Sequence, residues 1–153
     1  MNTTAKKQAI SASAISRYLA GLFSLRSLGT DLGLLIIRLV CGLMAHHGWA
    51  KFDDFADGSG EWPDPFHVGP AVSKGLTVFA ELFCTVLVVF GILTRPALIP
   101  LIICMLVIVF MVHGEDSFAD REHPLMYLLL YLALFITGPG KYSIDRFIAN
   151  RKV

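Results

Sequence analysis

The sequence predicts an all-α integral membrane protein, an antiparallel four-helix bundle with an N-terminal amphipathic interfacial helix and a short C-terminal interfacial one. Two observations predict this class. Of 153 residues, 55% are apolar and only 16% are charged, with a mean hydropathy of +0.64; charged residues form about a quarter of an average soluble chain. The charges are also segregated. Four long stretches, Leu32–Ala50, Gly75–Leu93, Pro96–His113 and Pro124–Gly138, are nearly free of them, and the gaps between are crowded with them. The net charge of +1 conceals this pattern. No basic patch with interleaved aromatics occurs, so no nucleic-acid partner is expected. The lipid bilayer is the expected partner.

Residues 1–29 read as a basic cytoplasmic tail and interfacial helix, and residues 30–153 as the membrane domain. Ile15, Leu19, Leu22 and Phe23 recur at helical spacing, with Ser16, Arg17 and Ser24 around the rest of the wheel, the pattern of a helix lying on a membrane surface. Residues 1–12 read as a disordered basic tail, and no apolar core suits a signal peptide. Spans are expected at about 32–50, 75–93, 96–113 and 122–138, each near the roughly 20 residues that cross a bilayer. None alternates apolar and polar residues as a barrel strand would. Spans two and three are joined by about three residues and must be antiparallel neighbours. Pro96 suits a first helical turn, whereas Pro100 lies further in and is expected to kink the helix or shift its start. The loop 52–74 carries Phe55, Trp62 and Phe66, and its length suits a lid or a binding surface. Gly138 and Pro139 end the fourth span. Ser143 is placed to cap a final short helix with Asp145 in its first turn. Ile144, Phe147 and Ile148 would dip into the leaflet while Arg146, Arg151 and Lys152 meet headgroups.

Orientation follows from lysine and arginine. Lys6, Lys7, Arg17, Arg26, Arg95, Lys141, Arg146, Arg151 and Lys152 fall before span one, between spans two and three, or after span four. The other two loops hold Lys51, Lys74 and Arg121 among Asp53, Asp54, Asp57, Glu61, Asp64, Glu115, Asp116, Asp120 and Glu122. By the positive-inside rule both termini are cytoplasmic.

Ionisable groups within spans need a reason, because a charge at mid-bilayer costs about 2.5–3.5 kcal/mol on insertion scales. At about 1.5 Å rise per residue, Arg38 lies roughly 9 Å above the cytoplasmic start of span one and His46 about 12 Å higher. Glu81 lies about 9 Å below the outer start of span two. His46 and Glu81 therefore share a level, and a His46–Glu81 pair is expected. With His47, Lys51, His113, Glu122 and His123 they form a polar funnel opening outward, with Arg38 reaching it from below. Each has a plainer reading: Glu81 as a neutral hydrogen-bonded acid, Arg38 snorkelling to phosphates, Lys51 as an anchor. Arg95 is expected to face headgroups or the Gly138–Asp145 segment, and a pairing with Asp145 suits both positions. No helix carries histidines at i,i+4, and His46 and His47 splay by about 100°, so neither metal nor haem is expected. Cys41, Cys84 and Cys104 sit on three different spans without a C-x-x-C, which argues against dithiol exchange.

Arg38 and Gly42, His47-Gly48 followed by Lys51, Glu81, then Gly91 with Leu93, Thr94 and Arg95, and finally Gly138-Pro139-Gly140 with Ser143 and Asp145, together resemble the DoxX family of small bacterial four-helix membrane proteins. The likeness runs from about Leu34 to Phe147. It implies an inner-membrane location and, from some relatives, the small subunit of a quinol oxidase or of another membrane oxidoreductase complex. A quinone or quinol would then be the ligand, with no cofactor of the chain's own. A membrane or periplasmic protein would be the partner, and a homo-oligomer is compatible. Tandem His46-His47 and the long aromatic loop depart from the commonest family pattern. Two other readings stand beside this one: a non-enzymatic scaffold or assembly factor docking through the 52–74 loop, and proton or small-solute transport. Unbroken spans without an internal repeat argue against the last.

Overall fold

The computed structural model describes residues 26–56 and 62–151. The expected interfacial helix around Ile15–Phe23 and the middle of the long loop lie outside those residues.

Every regular element among the described residues is helical. α1 (Arg26–Gly42) and α2 (Met44–Ala56) form a first rod, interrupted only at Leu43. There the chain tightens through i→i−3 bonds, Leu43 N to Val40 O at 3.0 Å and His46 N to Leu43 O at 3.1 Å. α3 (Pro70–Val78), a π-helical segment (Phe79–Cys84) and α4 (Thr85–Phe90) make the second rod. α5 (Thr94–Val107) with a second π segment (Ile108–Val112) makes the third, α6 (Phe118–Thr137) the fourth, and α7 (Ile144–Arg151) closes the chain.

The first rod extends beyond the expected 32–50 because nothing between Lys51 and Gly58 breaks a helix; hydrophobicity ends before hydrogen bonding does. The second rod begins at Pro70 rather than at residue 75, with proline in the first turn where its missing amide costs little. Lys74 hid this start, since a charge seemed to mark a loop, yet its side chain is buried and paired with Asp54. The third rod begins at Thr94 and keeps Pro100 inside it. Rods two and three are joined by a tight turn at Gly91, whose φ of 67° lies in the left-handed region. Its amide bonds Val88 O at 3.1 Å and the next amide bonds Leu87 O at 2.9 Å, the double bond of a glycine helix stop.

Packing runs round the rods: α2 lies on α3 and the first π segment, α4 on α5, α5 on α6, and α6 back on α1. The enclosed core contains Cys41, Met44, Cys84, Val88, Leu98, Leu101, Met105, Tyr131 and Leu134. The outside is equally apolar, with Leu43, Phe110 and Ile136 more than 60% exposed. Contiguous exposed apolar surface of that extent is stable only against lipid. Three helices, Gly29–Asp54, Pro70–Phe90 and Thr94–Val112, are long and apolar enough to cross a bilayer. This is a membrane protein.

Candidate functional site

The polar interior divides between the two ends of the molecule. At the end holding the histidines, Lys51 Nζ lies 2.5 Å from both carboxylate oxygens of Glu81. Glu81 is 1% exposed and the Lys51 side chain 26%. Two features of the backbone create this pair. Gly48 rests directly on the π segment: a Cβ there would come within 2.6 Å of Leu82 N and 2.7 Å of the Glu81 carbonyl carbon. Only glycine permits that approach, and it carries Lys51, one turn further on, over Glu81. The π turn itself widens the helix by one residue and re-aims the side chains on it. Cys104 approaches Glu81 Oε1 with its thiol at 4.0 Å.

Above the pair lies a cleft of ≈ 210 Å³. Lys51, Glu81, His47, His113, His123 and Asp120 supply its polar wall, and Met44, Met105, Ile108 and Pro124 its apolar one. His113 Nδ1 is 2.8 Å from Asp116 Oδ2, and Ser117 donates to Asp120 at 2.6 Å. A file of ring contacts descends from the cleft, His47 to His123 at 5.4 Å, His123 to Tyr127 at 5.1 Å and Tyr127 to Tyr131 at 5.9 Å. Trp62, from the long loop, lies beside two lysines: its ring centroid is 5.9 Å from Lys51 Nζ and 5.4 Å from Lys74 Nζ.

This arrangement corrects three expectations. The partner of Glu81 is Lys51, not His46; His46 is exposed and absent from the cleft. Depth arithmetic measured Cα heights, and a lysine chain reaches more than a helical turn back toward the interior. His47 shares the face of Lys51 at i,i+4, which leaves His46 turned away. Glu122 is exposed and does not line the cleft, whereas Asp120, two residues earlier, does. Arg38 belongs to the opposite end. Cys104 and Asp120 had no sequence signal that set them apart from an ordinary core thiol and a loop acid.

At that opposite end the turn after α4, the stretch 138–145 and α1 are knotted together. Arg38, 1% exposed, donates to Val89 O at 2.9 Å and also to Tyr142 O. Asp145 accepts from Leu93 N at 2.8 Å, Thr94 N at 2.9 Å and Thr94 Oγ1 at 2.7 Å, and its own amide donates to Gly91 O at 2.8 Å. It thereby satisfies the open amides of α5. Burial alone would raise the Asp145 carboxyl, but the bonds from Thr94 and Leu93, with the charge of Arg38, hold it below the ordinary carboxylate range. Ser143 caps α7, accepting from Arg146 N at 3.2 Å and donating to Gly140 O at 2.7 Å. Lys141 N donates to Asp31 Oδ1 at 2.8 Å. The expected Arg95–Asp145 pair does not form. Asp145 is saturated by backbone, and Arg95 reaches Ile136 O at 3.4 Å, beside Gly138. Arg38, Gly91, Thr94, Gly140, Ser143 and Asp145 thus meet in space.

No group of three or more histidine, cysteine or acidic side chains among the described residues has the spacing of a metal site.

The DoxX family model matches residues 33–114. A Haemophilus influenzae protein named only as uncharacterised is 29% identical over 136 residues, covering 81% of this chain and 88% of its own. The Escherichia coli inner membrane protein YqjF is 30% identical over 129 residues, 80% of this chain and 95% of that one. The Mycobacterium tuberculosis membrane protein Rv3486 is 30% identical over 142 residues, with shares of 77% and 82%. No solved structure matches.

Proposed function

The chain belongs to the DoxX family, and from that premise we propose that it is a four-span bacterial inner-membrane subunit of a quinone-linked oxidoreductase complex. The polar head of a quinone or quinol would enter the cleft over Lys51 and Glu81. The observation that carries the reading is the Lys51–Glu81 pair itself, its carboxylate buried and its lysine partly exposed where both line an open cleft. Burying such a pair rarely adds stability, so its retention favours a use.

The chemistry suits a redox-active ring with oxygen atoms at its edge. An ammonium has three N–H donors, and two are spent on Glu81, so one remains for a carbonyl oxygen. Glu81 accepts from a hydroxyl and takes its proton, and His47 and His123 lie beside it to relay that proton to the mouth. A quinol would release two electrons with its two protons and a quinone would take up as many, so a partner subunit in the membrane or periplasm would accept the electrons when Glu81 takes a proton and supply them when it returns one. The cleft is smaller than the roughly 300–1,000 Å³ of sites for drug-sized ligands. It therefore takes one ring and leaves an isoprenoid tail along the apolar exterior.

α6 is the fourth span in this reading, its 20 residues matching the roughly 20 required, with Asp120, Arg121 and Glu122 at the interface. The histidine end faces the periplasm and both termini the cytoplasm, on the lysine and arginine asymmetry. α7 lies in the inner interface. A second reading, docking of a partner protein through the long loop, draws on Phe66 and Val68, both exposed on a turn held by Asp64.

The test uses Trp62 as reporter. In purified protein carrying Trp49→Phe, a water-soluble short-chain quinone should quench fluorescence saturably. In Lys51→Gln/Glu81→Gln, which removes both charges together, affinity should fall at least tenfold (about 1.4 kcal/mol). Equal affinity in the two proteins would remove the cleft from quinone binding.

A further inference from the structure

A second cleft, of ≈ 720 Å³, lies at the other end, between the start of α5, the end of α6 and α7. Three cations line it from three separate segments: Arg95 on α5, Lys141 in the link after α6, and Arg146 on α7. None of the three forms an ion pair with a described acid. Arg95 makes one long bond to a carbonyl, and the side chains of all three are exposed. The two acids in the lining, Asp31 and Asp145, are committed to backbone amides, and Asp145 also faces Arg38. The two carboxylates offset part of the charge of the three cations, and the net positive charge that remains in the lining favours an anion.

A second observation says what sort of anion. The chain beside the lining is apolar and outward-facing: Leu93, in the lining, is 61% exposed, and Ile136 and Phe147, next in sequence to the lining residues Thr137 and Arg146, are 76% and 57% exposed. A free phosphate has no use for such a surface. A molecule with a phosphate at one end and acyl chains at the other fits both parts. Asn150 adds a further hydrogen-bonding group to the lining, and Arg95 and Arg146 can each present two parallel N–H groups to phosphate oxygens.

We propose that this cleft is a binding site for the phosphate of an anionic phospholipid, with Arg95, Lys141 and Arg146 as its ligands and the acyl chains lying along Leu93 and Ile136. Occupancy offsets the net positive charge of the lining and ties α5, the end of α6 and α7 to one headgroup. The proposal is independent of the quinone reading, because it concerns the opposite end and shares no residue with it.

The experiment measures lipid retention by native mass spectrometry of the full chain released from neutral detergent, after titration with phosphatidylglycerol, phosphatidylcholine or inorganic phosphate. Each basic side chain near an anionic surface contributes about fivefold to affinity. Arg95→Gln/Lys141→Gln/Arg146→Gln should therefore lose about a hundredfold in phosphatidylglycerol affinity. Lys141→Gln alone should lose about fivefold, and it removes a side chain that makes no hydrogen bond, so folding is not at stake. Arg151→Gln, on α7 but outside the lining, should change affinity less than twofold. A loss from Arg151→Gln equal to that from Lys141→Gln would overturn the site in favour of diffuse surface charge. Phosphatidylcholine bound as tightly as phosphatidylglycerol would overturn it, and inorganic phosphate bound as tightly would overturn the lipid assignment.

Discussion

The two ends of the molecule bury charge in opposite ways. At the glycine–proline end, Arg38 spends its hydrogen bonds on the carbonyls of Val89 and Tyr142, and Asp145 holds the amides of Leu93 and Thr94 together with the Thr94 hydroxyl. At the histidine end, Lys51 and Glu81 spend theirs on each other, under a cleft. A charge bound to main chain is committed to the fold, since moving it undoes a turn or a helix start. A charge bound to another side chain can be exchanged for a ligand while the backbone stays in place. The first kind of end is built to hold, and the second to respond.

The largest expected effect tests this contrast directly. Glu81→Leu strands the Lys51 ammonium, and removal of one partner from a buried pair costs about 3–5 kcal/mol. The lower figure applies because Lys51 keeps a quarter of its side chain in solvent. Lys51→Leu/Glu81→Leu should recover most of that stability, measured by denaturant unfolding in mixed micelles. If the double variant is as unstable as the single one, the pair is structural and the two ends do not differ.

At the opposite end Asp145→Ala should cost about 1–2 kcal/mol, the scale of a lost helix cap, and no second substitution should restore it in full, because two of its three donors are main-chain amides. Hydrogen exchange at Leu93 and Thr94 reads this locally. The same contact has a pH dependence of definite sign. The folded carboxyl titrates below its unfolded value, so its contribution is complete above the ordinary carboxylate range and is lost as pH falls through the depressed value. The protection of those two amides, relative to their intrinsic exchange rates, should therefore fall in acid and stay flat above about pH 5.

The smallest effect separates neighbours. His46→Ala should leave both stability and cleft ligand affinity unchanged within about 0.5 kcal/mol. His47→Ala should weaken ligand binding severalfold without lowering stability, read in the Trp62 quenching assay. Equal effects from both would mean that the cleft does not discriminate the faces of α2.

Much of the frame was legible because its cause is local. Segregated charge marked the apolar helices, and Ser143 and Gly138 announced a cap and a stop by their chemistry alone. The candidate site was legible in composition but not in pairing. Glu81 was singled out by its depth, yet its partner depended on three things that apolar runs do not display: the π turn at Phe79–Cys84, the contact of Gly48 with that turn, and the reach of a lysine chain. The Arg95–Asp145 expectation failed for a related reason. Matching opposite charges on one surface ignores the open amides of a helix start, which bind a carboxylate at close range and leave the arginine free.

The π segment has a consequence for how this chain can change. A π turn holds one residue more than the α turn it replaces, and one residue is about 100° of rotation. The stretches on either side of Phe79–Cys84 are thus out of step by that angle, Glu81 presenting one phase to α2 and Thr85–Phe90 another to α1. Loss of a single residue from the segment would restore a regular helix and swing one of the two stretches off its neighbour. Point substitutions can retune the cleft gradually, but insertion or deletion in those six residues has no gradual form. Descendants of this chain can drift in side chains there while the length of the segment stays frozen.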